Sequence, residues 1–114
     1  MATRVLIGNA EPIVRLGIAT VLRERGLDVI GEEGRPRPLV LLAGQLHPDA
    51  VVLDLHQRDV AARVREASPD AVVVLWARDE EVMEVLGDEP RRVESPTADD
   101  LGQALTRVRS IGSP

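Results

Sequence analysis

The run Pro48-Asp49-Ala50-Val51-Val52-Leu53-Asp54-Leu55 constrains this chain more than any other stretch. An unbroken apolar segment, Ala50 to Leu53, follows a Pro-Asp turn and is closed by a single carboxylate. A strand with no polar alternation is buried on both faces, the situation of a central strand in a parallel sheet. Open α/β sheets gather their ligand sites beyond the carboxyl ends of such strands. Asp54 holds that position.

The rest of the chain alternates strand and helix around this run. Arg4-Val5-Leu6-Ile7-Gly8 reads as a first buried strand. Pro12 suits the first turn of a helix whose apolar residues Val14, Ile18, Val21 and Leu22 recur at helical spacing, with Gly26 as its stop. Leu27-Asp28-Val29-Ile30-Gly31 is a second strand, placed at an edge. Gly34 to Pro38 is a loop, and Leu39, Leu42, Ala43 and Leu46 mark one face of a second helix. Beyond Asp54, Val60, Val64 and Ala67 line a short third helix. Pro69-Asp70-Ala71-Val72-Val73 nearly copies Pro48 to Val52 and opens a fourth strand ending at Trp76, so two helix-to-strand turns solve one geometric problem. Val82, Val85 and Leu86 predict a weak fourth helix, interrupted by Gly87-Asp88-Glu89-Pro90. Arg92-Val93-Glu94 is a minimal fifth strand. Thr97 is a suitable N-cap, Asp99 and Asp100 fall in the first turn, and Leu101, Ala104, Leu105 and Val108 line a fifth helix. The pattern predicts right-handed crossovers and a three-layer (βα)5 sandwich.

Composition narrows the function. At 114 residues the chain makes one domain, and a formal net charge of −5 opposes nucleic-acid binding by this domain alone. Trp76 is the single aromatic residue, so base stacking has no platform. Cysteine is absent, which excludes disulfides and thiolate metal sites and fits a cytoplasmic protein. No apolar stretch approaches the roughly 20 residues of a membrane span, and no signal peptide opens the chain. His47 and His56 lack partners at ligand spacing, and Gly8 alone carries no phosphate-loop fingerprint. Arg58, Arg63 and Arg65 read as a solvated helix face, and no nucleophile and base pair points to an enzyme.

Over nearly its whole length the sequence resembles the receiver domain of bacterial response regulators. Val5 to Arg15 is similar to that family's first strand and turn, and Val73-Val74-Leu75-Trp76-Ala77 stands where its fourth strand ends. His47 to Leu55, the most specific match, is similar to the phosphoacceptor strand, with Asp54 at the phosphoacceptor position. The subgroup resembled is the receivers at the N-terminus of helix-turn-helix transcription regulators. The resemblance implies a CheY-like, flavodoxin-like α/β fold with a parallel five-stranded sheet in the order 2-1-3-4-5. Residues 1–110 then form the receiver-like domain, and residues 111–114, ending Gly112-Ser113-Pro114, the start of a linker or tail.

The departures from that family fall on its working parts. Two adjacent acidic residues hold Mg²⁺ in the family's first turn; here the positions read Asn9 and Ala10, with Glu11 one step along. A hydroxyl residue closes the family's fourth strand; here it is Trp76. Glu94, or Ser95 if the alignment slips by one, replaces a family lysine. The loop after Asp54 is shortened to Leu55-His56-Gln57-Arg58-Asp59. Phosphoryl transfer to a carboxylate needs charge neutralisation, and a hard cation needs several oxygen ligands. The expectation is therefore no cofactor, no Mg²⁺ site, and an atypical receiver that regulates without phosphorylation. Two alternatives stand beside it: a conventional receiver phosphorylated at Asp54 by a histidine kinase, and a pseudo-receiver that senses a small molecule. Read without the family, Asp54 caps the third helix or bonds nearby amides, and Trp76 is a large core or rim residue. The resemblance also implies a homodimer through the fourth helix, fifth strand and fifth helix, in which Asp100 would face Arg107; the same order of charges suits the dipole of an isolated helix.

Overall fold

The computed structural model describes residues 2–76, 82–87, 90–94 and 100–106. β3 (Ala50–Leu53) lies inside the sheet with all its residues buried, parallel to β1 (Arg4–Ile7) on one side and to β4 (Val72–Trp76) on the other. Its side chains alternate between two cores. Ala50 and Val52 join one with α1 (Pro12–Glu24), while Val51 and Leu53 join the other with α2 (Pro36–Leu46) and α3 (Arg58–Ala67). A sheet between two helical layers leaves no wet face, which is why the strand sequence has no polar alternation. β2 (Asp28–Glu32) pairs in parallel with β1 and forms one edge. Leu101, Ala104 and Leu105, from a last helix α4 (residues 100–106), complete the α1 side.

Local chemistry ends these helices where the sequence signals it. Gly26, at φ 79°, reverses the chain after α1, and Leu27 N–H donates back to the Leu22 carbonyl at 3.0 Å. α2 ends on His47 in the left-handed region, and the Arg4 guanidinium donates to the Leu46 and His47 carbonyls at 2.9 Å each. Asp49 Oδ2 accepts from Arg4 N–H at 2.8 Å, so the Pro-Asp turn also fixes the entry to β1.

The α/β sandwich and the parallel order of the first four strands agree with the expectation; the distal third of the sheet corrects it. The sheet has six strands in the order β2-β1-β3-β4-β5-β6. Val82, Val85 and Leu86 do not belong to a helix: Val82–Leu86 is strand β5, antiparallel to β4. β6 (Arg91–Glu94), the expected fifth strand, pairs antiparallel with β5 and takes the far edge. The spacing 82, 85, 86 fits a helix with only three anchors, whereas period two places Met83 and Val85 in the α1 core and Val82 and Leu86 on the α2–α3 side. The strand buries both faces and completes the ladder of β4, which a weak helix cannot do. The homodimer surface expected from a fourth helix therefore loses that helix. Thr97, Asp99, Arg107, Val108 and the 111–114 tail lie outside the described residues.

Candidate functional site

Strand register brings three of the expected site positions into one row. Ile7 is opposite Val52 and Leu53 opposite Leu75, so Asn9 and Asp54, just past the carboxyl ends of β1 and β3, and Trp76, the last residue of β4, lie at the same level. All three continue the parity of the α1-side core, to which Val52, Val74 and Trp76 contribute. The shared level is a consequence of parallel pairing, since every strand delivers its carboxyl end to the same edge.

Asn9 is fully buried. Its Nδ2 donates to the Trp76 carbonyl at 3.2 Å, and because β3 lies between β1 and β4, this bond passes across the end of the strand that carries Asp54. Its Oδ1 is buried without a hydrogen-bond partner among the described residues. Ala10 and Glu11 are exposed. Glu11 precedes Pro12 at the start of α1 and makes no side-chain cap bond. The turn carbonyls are engaged by a cation from the chain itself: Arg15 Nη1 donates to the Asn9 carbonyl at 2.7 Å and to the Ala10 carbonyl at 2.9 Å. A Cβ at Gly34 would strike that guanidinium, so the glycine leaves the room Arg15 occupies.

Asp54 is half-buried and held in a local turn. His56 N–H donates to Asp54 Oδ1 at 3.2 Å, and Gln57 N–H donates to the Asp54 carbonyl at 2.9 Å. Gln57 also works as a clamp. Its Oε1 accepts from Asp54 N–H at 2.7 Å while its Nε2 donates to the Gly8 carbonyl at 3.1 Å, tying the ends of β3 and β1 together. Asp54 does not cap α3, whose N-cap is Gln57 without a side-chain cap bond; it bonds a nearby amide in an Asx-type turn instead.

Glu94 is not brought to this row. It ends β6, three strands from β3, which is about 14 Å at ordinary strand spacing. The insertion of β5 causes the separation. Glu94 instead pairs with Arg92 on its own strand, Nε to Oε1 3.1 Å. Ser95 lies outside the described residues. On the α2–α3 side Arg58, expected to be solvated, pairs with Glu84 of β5. Near Arg15, the Glu33 carboxyl is pushed down to about 2, first by the Arg35 side-chain hydrogen bond, then by its backbone N–H, with Arg15 adding attraction. Glu33 in turn raises the Arg35 guanidinium.

Sequence reasoning did not single out Gln57, Arg15 or Gly34. The only sequence signal for Gln57 is its position three residues after a strand-end aspartate, immediately before a helix. Arg15 and Gly34 carry none, because their meeting depends on how β2 and α1 pack.

No protein-family model matches the chain. Over 79 residues, 65% of this chain, it is 34% identical to the transcriptional regulatory protein PdtaR of Mycobacterium tuberculosis and spans 38% of that protein. A 119-residue alignment with the response regulator protein VraR of Staphylococcus epidermidis gives 25% identity, covering 95% of this chain and 57% of that one. Among solved structures, the signal receiver domain of the M. tuberculosis response regulator NarL is similar with a TM-score of 0.59 and 29% identity, over 65% of this chain and 64% of that chain. No helix among the described residues is long and apolar enough to cross a membrane.

Proposed function

This chain is a CheY-like receiver domain of the response-regulator kind, and from that premise we propose that it regulates without phosphorylation of Asp54. The observation that carries the proposal is the Asn9 amide, buried and bonded to the Trp76 carbonyl across the end of β3. A carboxylate there could neutralise a cation; an amide whose donor is spent on a carbonyl contributes one neutral oxygen. Ala10 adds no ligand, and the Asn9 and Ala10 carbonyls are already covered by Arg15. Among the described residues no three acidic or imidazole side chains converge where a metal could sit. These residues do not fit Mg²⁺, so no step of the proposed function passes through it. Glu94, at the position of the family lysine, lies on a strand three places from β3.

In this reading the domain is a regulatory module rather than an enzyme, working in the cytoplasm within a transcription regulator and signalling through self-association. The chain spans only part of each relative, so that wider role extends the proposal to a longer protein. Acetyl phosphate with Mg²⁺, followed by intact-mass measurement, tests the core of it. The expected result is an unmodified chain. A stoichiometric gain of one phosphoryl group, abolished by Asp54→Asn, would overturn the proposal and restore the conventional reading with a histidine kinase as partner.

The unpartnered Asn9 Oδ1 supports a second reading, a small-molecule sensor whose ligand brings a hydrogen-bond donor to that oxygen. Trp76 lies in the same row, its carbonyl accepting from Asn9 Nδ2, and is the single aromatic, so binding should shift its emission. Ligands that bind with no change in emission would count against a sensor at this site.

A further inference from the structure

The exposed outer edge of β6 departs most from the expected fold, and its charge order has a symmetry. Among the described residues no strand pairs with that edge, and β6 ends the sheet. Its sequence is Arg91-Arg92-Val93-Glu94, with Arg91, Arg92 and Glu94 exposed and Val93 half-buried. We propose that the β6 edges of two copies of this chain pair antiparallel about a two-fold axis at Val93, joining their sheets. The inference rests on the reading that output runs through self-association, and it names the surface.

Geometry limits the registers. Alternate residues of a strand turn their N–H and C=O groups to opposite edges, so outward-facing residues must meet outward-facing residues. A two-fold antiparallel pair is therefore centred on a residue, not on a peptide bond. Within β6 that leaves centres at Arg92 or Val93. Centring on Arg92 sets two guanidinium groups face to face, which like-charge repulsion disfavours. Centring on Val93 sets Arg92 of each copy opposite Glu94 of the other, twice by symmetry, with the two valines meeting on the axis. The Arg92–Glu94 pair already present within one strand shows both side chains on one face, where they can be shared across the junction.

The opposite edge behaves differently. In β2 the full-length symmetric register is centred on Ile30 and sets Asp28 opposite Glu32, carboxylate against carboxylate. That edge repels its own copy, the ordinary protection of an exposed strand. β6 carries charge too, but in an order that attracts a copy.

The chain has no cysteine, so single introduced thiols report the register directly. Facing residues have Cα atoms within disulfide reach, whereas residues offset by two on the partner strand lie beyond it. Under mild oxidation, Val93→Cys should form covalent dimers and Arg92→Cys alone should not. A mixture of Arg92→Cys and Glu94→Cys chains should cross-link as a heterodimer. In sedimentation equilibrium of the full chain, Arg92→Glu should weaken association by about tenfold, since two attractive cross-strand pairs become repulsive. The double exchange Arg92→Glu with Glu94→Arg should restore it, which separates a lost interface from a damaged fold. A monomer at all concentrations, a dimer indifferent to Arg92→Glu, or cross-linking by Arg92→Cys instead of Val93→Cys would each overturn the proposal. Sedimentation and cross-linking use unphosphorylated chain, so they fail independently of the acetyl phosphate experiment.

Discussion

Asn9→Asp is the most informative single change, because it returns a carboxyl group to the first turn without altering side-chain shape. Asn9 is fully buried and its Nδ2 donates to the Trp76 carbonyl. An ionised carboxylate would point lone pairs at that carbonyl and lose its hydration, with no metal to offset the cost. The introduced carboxyl therefore protonates in the folded state, and its O–H can replace the amide donor. The folded pKa is raised above the unfolded value of about 3.9, so stability is retained below pH 4 and lost as pH rises toward the folded pKa. Each pH unit in that window costs about 1.4 kcal/mol. If burial lifts the folded pKa to 7 or above, the deficit reaches about 4 kcal/mol at neutral pH, a large share of a small domain's stability. The assay is urea unfolding of parent and variant at pH 4, 5.5 and 7, followed through Trp76 emission. The difference between them should be small at pH 4 and grow steadily to pH 7. A difference that stays flat with pH would refute the reasoning, since the carboxylate would then be ionised at no cost in a site open to water or a cation.

Three further outcomes follow from named contacts. Gln57→Ala removes bonds of 2.7 and 3.1 Å that tie β3 to β1, and should cost about 1–3 kcal/mol in urea unfolding. Gly8→Ala places a Cβ 2.5 Å from Leu39 Cδ2 and 2.6 Å from Leu53 Cδ2, inside the α2–α3 core, and should lower stability by about 1–3 kcal/mol by the same measurement. The Glu33 carboxyl should titrate near 2 by NMR and return to the ordinary carboxylate range in Arg35→Ala. Because that folded value is depressed, its contribution holds above the unfolded value and fades as pH falls toward 2.

Much of the architecture is legible in residue order alone. The unalternating runs at Val5–Ile7, Ala50–Leu53 and Val72–Leu75 can be satisfied only by burial on both faces, and the helical stripes between them supply the cover. Those facts determine the central parallel strands, and with them the carboxyl-end row of Asn9, Asp54 and Trp76, because parallel pairing leaves no other place for those residues. The amide and the aromatic in the row are likewise plain in the sequence. What Val82–Leu86 becomes was decided by tertiary structure. Three apolar residues at 82, 85 and 86 satisfy either period, and the choice goes to whichever pairing completes β4 and fills both cores. That choice separates Glu94 from Asp54 and leaves β6 as the last strand of the sheet among the described residues. The Gln57 clamp and the Arg15 contact to the turn carbonyls were decided the same way. Each joins groups far apart in the chain or brought close only by a turn, and no local pattern encodes a bond whose partner is placed by the packing of another element.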